Sequence, residues 1–259
     1  MSAHWGQNIT IDGSGDRVGI NDPGFVQAYE QGTLAALGAI SRNMLGNLLI
    51  RLICFNSRRL LIEATEQEVR IDNPGTFADD PSAAQAGRAG SDVHIFYDPA
   101  IFNGNAQYVH FRPDDVLFHE LVHALRIMRG LIDTTTMIGW DNKEDFFAIT
   151  LTNIYLSMNN RNADLRGSHS PVWQGLPWDS LNNRTQTDLT FYLLYGNILD
   201  DISKAMPDLC LPIVSIPCQW NPIHAGAEYV RKALNAPRPG SLASNMYGER
   251  SFRGSRIRA

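Results

Sequence analysis

The spacing of apolar residues predicts long helices in the second half of the chain. The clearest helix runs from Pro113 to about Arg129, with proline in its first turn and Gly130 as a stop signal. A second helix is predicted from about Asn142 to Met158. Further helices are predicted at about residues 187–205 and 225–234, with an apolar segment at 209–214. The second half is therefore expected to be mainly helical.

The first half of the chain has short strand-like segments around one predicted helix, at Phe25 to about Leu48. Strands are predicted at Ile9–Ile11, Leu49–Phe55, Glu68–Ile71 and Val93–Tyr97. Residues 72–90 are rich in Gly, Pro and Ala, which predicts a long surface loop. Because strands come first and helices follow, the pattern favours an α+β domain over alternating βαβ units.

Composition and charge are those of an ordinary globular chain with a basic end. The 259 residues are 44% hydrophobic and 19% charged, which excludes wholesale disorder, a collagen-like fibre and a coiled-coil rod. We expect one domain over residues 1–235. Residues 236–259 hold five arginines against one acid and few periodic apolar positions, so we expect a disordered tail. The overall net charge of −5 leaves this tail as the only candidate for binding nucleic acid.

Targeting signals are not readable in the sequence. No apolar stretch approaches the roughly 20 residues that a membrane span requires. The N-terminal residues have neither the basic start nor the apolar stretch of a secretory signal peptide. Cys54, Cys210 and Cys218 show no CxxC spacing, and three thiols cannot all pair within one chain. These features predict a cytoplasmic protein in the producing cell, unless a specialised secretion system exports it.

The chemistry-bearing motif lies inside the clearest helix, as His119-Glu120-Leu121-Val122-His123. Histidines four residues apart project from one helical face and can direct their ring nitrogens at one ion. Glu120 lies between them and can reach a water molecule at that ion. This is the HExxH arrangement of zinc hydrolases, in which the glutamate removes a proton from water. The sequence therefore predicts one zinc ion per chain, with Glu120 as the general base.

A catalytic zinc site uses a third protein ligand and one open position. The metzincin pattern is excluded, because Arg126 and Arg129 stand where it requires glycine and histidine. A carboxylate at the start of the second helix is the alternative, with Glu144 preferred for its longer side chain and Asp145 as the alternative ligand. Glu144 could instead close a capping box with Asp141. If Asn142 caps the helix, Asp145 takes the box role and Glu144 is available for metal.

Three runs, HELVHALR, EDFFAITLTNIYLS and LRGSH, resemble the NleD-like family of bacterial type III secretion effector metallopeptidases. The resemblance covers about residues 90–225. It implies a zincin-like domain of the gluzincin type and a zinc-dependent endopeptidase; pathogen members of the family cleave host signalling proteins. Carried over by motif, His119 and His123 would be metal ligands, Glu120 the catalytic base and Glu144 the third ligand.

Zinc peptidases also need a group that stabilises the oxyanion on the scissile carbonyl. Arg166 and His169 follow the second helix and could fold back over the metal. Tyr155 is a third candidate, three turns along that helix from Glu144. All three have structural alternatives, namely a surface or ion-pairing arginine, a packed histidine and a core aromatic residue.

The leading hypothesis is a zinc endopeptidase that acts on protein or peptide substrates, built as a mixed sheet over the active helix. The strand at Val93–Tyr97 is expected to form the upper edge of its cleft. The alternative is a non-catalytic binding protein in which zinc only joins two helices. A fourth protein ligand such as His169 would favour that alternative. Binding of nucleic acid through residues 236–259 is a third hypothesis.

Overall fold

The computed structural model describes residues 2–14, 22–64, 74–103, 110–137, 140–167, 184–216 and 218–235. Within these ranges the chain forms one five-stranded sheet and seven α-helices. The strands are β1 (Ala3–Trp5), β2 (Ile9–Asp12), β3 (Leu60–Glu63), β4 (Gly75–Ala78) and β5 (Val93–Phe96). The helices are α1 (Pro23–Arg42), α2 (Met44–Cys54), α3 (Pro113–Met128), α4 (Lys143–Met158), α5 (Arg184–Ala205), α6 (Pro207–Val214) and α7 (Pro222–Asn235). The α+β class predicted from the sequence is confirmed.

The sheet is mixed, with the order β1-β2-β3-β5-β4. Strands β2, β3 and β5 are parallel neighbours, whereas β1 and β4 are antiparallel strands at the two ends. Alternate residues of the central strands are buried in the core, beginning with Ile9 and Ile11 on β2 and continuing across β3 and β5. This alternation is the period of a sheet that packs helices on one face.

The N-terminal helical region contains two helices, where the sequence predicted one helix and a strand. The prediction of a strand at Leu49–Phe55 is wrong, because these residues belong to the end of α2 and its C-cap. Asn43 separates the helices: its backbone is extended and its side chain accepts hydrogen bonds from the amides of Leu45 and Gly46. A cap of this kind satisfies amides that have no partner within the helix.

Strand β4 corrects two further expectations from the sequence. It occupies Gly75–Ala78, inside the segment that was predicted to be loop throughout. It also takes the end position beside β5, so β5 is an inner strand and does not form the edge of the cleft. The predicted strand at Glu68–Ile71 and the predicted disordered tail at 236–259 lie outside the described residues. The assignment of residues 1–235 to one domain stays a prediction.

Helix α3 is the central element, since it packs against α1, α2, α4 and the strands β4 and β5. It ends at Met128 with Arg129 as its C-cap, and Gly130, the predicted stop signal, follows with φ at +61°. The amide of Leu131 donates to the carbonyl of Arg126 and that of Gly130 to the carbonyl of Ile127. These two bonds form a Schellman motif, which requires the left-handed conformation that glycine adopts readily. None of the helices in the described ranges is both long and apolar enough to cross a membrane.

Candidate metal centre

The two histidines of HExxH converge on one point. His119 and His123 lie one turn apart on α3, and their Nε2 atoms are 3.1 Å apart. Two nitrogens bound to one tetrahedral zinc ion at about 2.1 Å each would be about 3.4 Å apart. His119 is 6% exposed, and the side chain of His123 is 13% exposed. The pair is therefore nearly in ligand geometry and largely shielded from solvent.

Asp145, the alternative ligand in the sequence analysis, lies beside this pair. Its Oδ1 is 3.6 Å from Nε2 of His123, the nitrogen that faces His119. His119, His123 and Asp145 form a group whose ligand atoms all lie within 4.8 Å of one another and could hold a metal ion. The side-chain amide of Asn142, through Nδ2, donates to Oδ2 of Asp145 at 2.7 Å, which orients the carboxylate. Carboxylate ligands of metals are commonly held by such outer contacts.

Glu144, the preferred third ligand from the sequence, occupies the other side of His123. Its Oε1 lies 3.2 Å from Nδ1 of His123, the ring nitrogen that faces away from His119. Nε of Arg126 also binds both carboxylate oxygens, at 2.8 and 2.7 Å. An acceptor on the distal nitrogen of a ligating histidine selects the tautomer that binds metal through the near nitrogen. Glu144 therefore lies between Arg126 and the side of the His123 ring that faces away from His119.

The N-cap of α4 is the one in the second alternative of the sequence analysis, although the box role of Asp145 differs from it. Asn142 is the N-cap, and its side chain accepts a hydrogen bond from the amide of Asp145 at 3.0 Å. The carboxylate of Asp145 binds the Asn142 side chain rather than its backbone, so no capping box ties it to the helix end. Glu144 is not used as a cap either. Capping thus leaves both carboxylates directed at α3.

Arg126 was missed as a site residue. Its side chain is 5% exposed, and a second guanidinium nitrogen donates to the carbonyl of Leu131 at 2.6 Å. Its guanidinium carbon lies 5.0 Å from the ring centroid of Phe147. A signal was present in the sequence, because an arginine three residues after His123 on an apolar helix requires a buried acidic partner. That partner is Glu144.

The charges of the site favour a cation. Burial raises the pKa of Glu144, but the hydrogen bond from His123 and the positive charge of Arg126 outweigh burial, and the net pKa is lowered. Burial lowers the pKa of His123, while the nearby carboxylates more than offset it, so the net pKa is raised. Three carboxylates, those of Glu120, Glu144 and Asp145, line one cleft, and Arg126 pairs with Glu144. The resulting negative potential is what a divalent ion neutralises.

Glu120 lies next to the histidines and faces the same cleft. It is 6% exposed, and its Oε2 accepts a hydrogen bond from the Thr76 hydroxyl at 2.7 Å. The cleft has a volume of about 440 Å³. Its walls are the strand β4 with flanking residues, the metal-centre residues of α3, the start of α4, and a partly apolar side formed by Pro81, Ala84, Gln85, Ile127, Ile132 and Thr134. A reacting group in this cleft would meet both Glu120 and the histidines.

Two of the three predicted oxyanion stabilisers, Tyr155 and Arg166, do not lie at the cleft. Tyr155 is 1% exposed, stacks on Phe118 and donates its hydroxyl to Asp114 at 2.8 Å. Arg166 is 5% exposed and forms a buried ion pair with Asp115. Neither side chain lines the cleft. Their burial and contacts are those of the core aromatic residue and the ion-pairing arginine that the sequence analysis gave as alternatives.

His169 lies outside the described residues, and its role stays a prediction.

A mixed α+β fold with two histidines and an aspartate converging beside a buried glutamate defines a candidate metallohydrolase. A family model, Peptidase_M91, described as effector protein, matches residues 19–165, which is more than half of the chain. The chain therefore belongs to this family of effector peptidases. No curated protein matches it. Family membership implies a peptidase, and the effector description suggests action on proteins after secretion into a host cell.

Proposed function

We propose that the protein is a zinc-dependent endopeptidase with a zincin-like active site, which acts as a bacterial effector on proteins of a host or target cell. One observation carries the proposal. The Nε2 atoms of His119 and His123 meet at 3.1 Å beside Asp145 and Glu120, at the wall of an open cleft. The match of residues 19–165 to a peptidase family supports the reaction class independently.

The proposed ligands are His119, His123 and Asp145, with one ion per chain. The distance of 3.6 Å from Asp145 to the near nitrogen of His123 supports this set. Glu144 is proposed to hold the far nitrogen of His123, with Arg126 holding Glu144 in turn. Two imidazoles and a carboxylate are a ligand set that zinc accepts, and three protein ligands leave a position open for water or substrate.

The proposed reaction is hydrolysis of a peptide bond. Bound zinc lowers the pKa of water and polarises the scissile carbonyl. Glu120 takes a proton from the attacking water and later delivers it to the nitrogen of the leaving amine, so the same carboxylate acts first as base and then as acid. Because Glu120 is buried beside apolar helix residues, few water molecules other than the attacking one can hydrate its carboxylate. The walls of the cleft hold the substrate so that its carbonyl lies beside the histidines.

The alternative is a non-catalytic binding protein in which zinc only joins two helices. It makes a different prediction about the fourth coordination position of the zinc ion. Structural zinc sites use four protein ligands. Within the described residues the metal-capable group has three members, and it opens onto a cleft. A fourth protein ligand from another part of the chain would support the alternative, and a water-occupied position in a zinc-loaded crystal structure would support the enzyme.

The test is proteolysis profiling of a host-cell lysate with wild type, Glu120→Gln and the control Glu228→Gln. Glu228 is a glutamate of α7 whose described ion pair is with Arg231. Its replacement by glutamine should therefore leave activity unchanged. We expect new protein N-termini with wild type and control, and their loss with Glu120→Gln, at a cost of about 10²–10⁴-fold in rate. Glu120→Gln should retain one zinc and the wild-type unfolding temperature. Wild-type cleavage by Glu120→Gln would refute its role as base, and loss of zinc in that variant would make Glu120 structural.

A further inference from the structure

Thr76 connects the edge of the sheet to the proposed general base. It is the second residue of β4, and its side chain points from the sheet toward α3. The hydroxyl donates to Oε2 of Glu120 at 2.7 Å, and the same Oγ1 lies 3.2 Å from the main-chain carbonyl oxygen of Glu120. A hydrogen bond to a charged carboxylate is about twice as strong as one between neutral groups. Thr76 thus fixes the position of one of the two carboxylate oxygens.

The main-chain amide and carbonyl of Thr76 lie in the plane of the sheet and point to the side of β4 that faces away from β5. The amide of Asp79 donates to the carbonyl of Asp92, so Asp79 and Asp92 are a hydrogen-bonded pair of the antiparallel ladder. Hydrogen-bonded and non-hydrogen-bonded pairs alternate along such a ladder. By this alternation Phe77 binds β5 through its main chain, whereas Thr76 and its partner Ile95 are a non-hydrogen-bonded pair.

The amide and carbonyl of Thr76 are consequently directed at the side of β4 where no strand of the described sheet pairs. Residues of β4 also line the cleft. An extended polypeptide can add to such an edge through main-chain hydrogen bonds. A substrate strand bound there would engage Thr76 through its backbone while the same residue holds Glu120 through its hydroxyl.

We propose that Thr76 is a positioning residue that couples a substrate main chain bound along β4 to the carboxylate of Glu120. The inference rests on the proposed function, because it requires Glu120 to be the base. A glutamate side chain has several rotatable bonds, and proton transfer requires its carboxylate within about 2.6–3.2 Å of the proton donor. The Thr76 hydroxyl restricts those rotations, so binding of the substrate strand and placement of the base depend on one residue.

The test compares Thr76→Val, Thr76→Ser and a matched control, Thr10→Val. Valine keeps the size and β-branching of threonine and removes the hydroxyl, whereas serine retains the hydroxyl. Thr10 lies on β2, a strand that β3 and β5 separate from β4. Initial rates are measured on the peptide that wild type cleaves fastest from a library of internally quenched peptides. Zinc content, unfolding temperature and a zinc-loaded crystal structure are obtained for every variant.

For Thr76→Val we expect kcat to fall about tenfold or more with KM within about twofold, because the main chain of residue 76 is unchanged while the base loses its position. Thr76→Ser should remain within about threefold of wild type, and Thr10→Val should be unchanged. Zinc content should be equal in all variants. In the crystal structures, the Glu120 carboxylate should leave its position in the valine variant and keep it in the serine variant.

Three results would overturn the coupling: a wild-type kcat for Thr76→Val, an equal loss in the serine and valine variants, or an unmoved Glu120 carboxylate in the valine variant. The crystal structures give their answer without an activity measurement. Glu120→Gln in the same assay separates this failure from failure of the proposed function. If Glu120→Gln is inactive and Thr76→Val is fully active, only the coupling is wrong; if Glu120→Gln is fully active, the base lies elsewhere and both are wrong.

Discussion

Replacing Asp145 and Glu144 by alanine, one at a time, should separate zinc affinity from the stability of the metal-free fold. Adjacent carboxylates at the start of α4 contact opposite nitrogens of the same histidine. If Asp145 is the ligand and Glu144 the support, the two variants should fail in different ways. The measurements are chelator competition for zinc affinity, and urea unfolding in excess chelator for the free energy of unfolding.

The expected cost of Asp145→Ala falls mainly on the metal. Asn142 loses the acceptor for its side-chain amide, but its oxygen still caps the amide of residue 145. One hydrogen bond of this kind contributes about 1 kcal/mol to the metal-free stability. Zinc affinity should fall by more than about 100-fold, since the loss of a ligand exceeds the 10–100-fold typical of supporting residues.

The expected cost of Glu144→Ala falls mainly on the fold. The variant leaves the guanidinium of Arg126, whose side chain is 5% exposed, without its carboxylate. Removing one partner of a buried ion pair costs about 3–5 kcal/mol, a large part of the 5–15 kcal/mol that stabilises a typical domain. Zinc affinity should fall by only about 10–100-fold, through the less constrained ring of His123.

A paired variant keeps the test decisive if Glu144→Ala does not fold. Exchanging Arg126→Met and Glu144→Leu together replaces the ion pair by apolar groups of similar size, which is often neutral or stabilising. This variant should be stable and should retain zinc, with an affinity reduced by about 10–100-fold. The assignment is refuted if the paired variant loses zinc while Asp145→Ala binds it normally, because Glu144 would then be the ligand.

Two further predictions concern single residues. His123→Ala should lose nearly all zinc by elemental analysis, and a stoichiometric zinc content in that variant would remove His123 from the ligand set. Burial raises the pKa of Asp188 to about 6, against about 3.9 in an unfolded chain. The native state therefore binds the proton more tightly, and this contribution to stability is present below about pH 4 and is lost as the pH rises to about 6. Asp188→Asn should gain about 3 kcal/mol relative to wild type between pH 4 and pH 7 in urea unfolding. A difference between the variant and wild type that does not change with pH would contradict the argument.

Local sequence determined the two helices that carry the metal centre. Pro113, the apolar spacing and Gly130 bounded α3 to within a residue, and the polar start and apolar body of α4 did the same. Helical geometry alone then places His119 and His123 on one face. The pairing of these histidines needed no tertiary information, because both lie on one element whose period is known.

The position of β4 was decided by tertiary structure. Gly75–Ala78 is a four-residue segment among glycines, prolines and alanines, and no local pattern separates it from loop. It becomes a strand because its main chain pairs with β5 and its threonine binds Glu120. Thr76 was missed for the same reason, since its role depends on a contact across 44 positions of sequence. The apolar run at residues 49–55 shows a related limit, because a short buried run suits a helix and a strand equally.

The third ligand shows most clearly where sequence information ends. The sequence placed Glu144 and Asp145 correctly beside the motif and could not assign their roles, because adjacent residues at a helix start both reach the neighbouring helix. In the tertiary structure the two carboxylates have different partners. The buried guanidinium of Arg126 pairs with Glu144, whereas Asn142 binds Asp145, which lies beside Nε2 of His123. A buried charge must be paired, and which carboxylate pairs with it depends on how α3 and α4 pack.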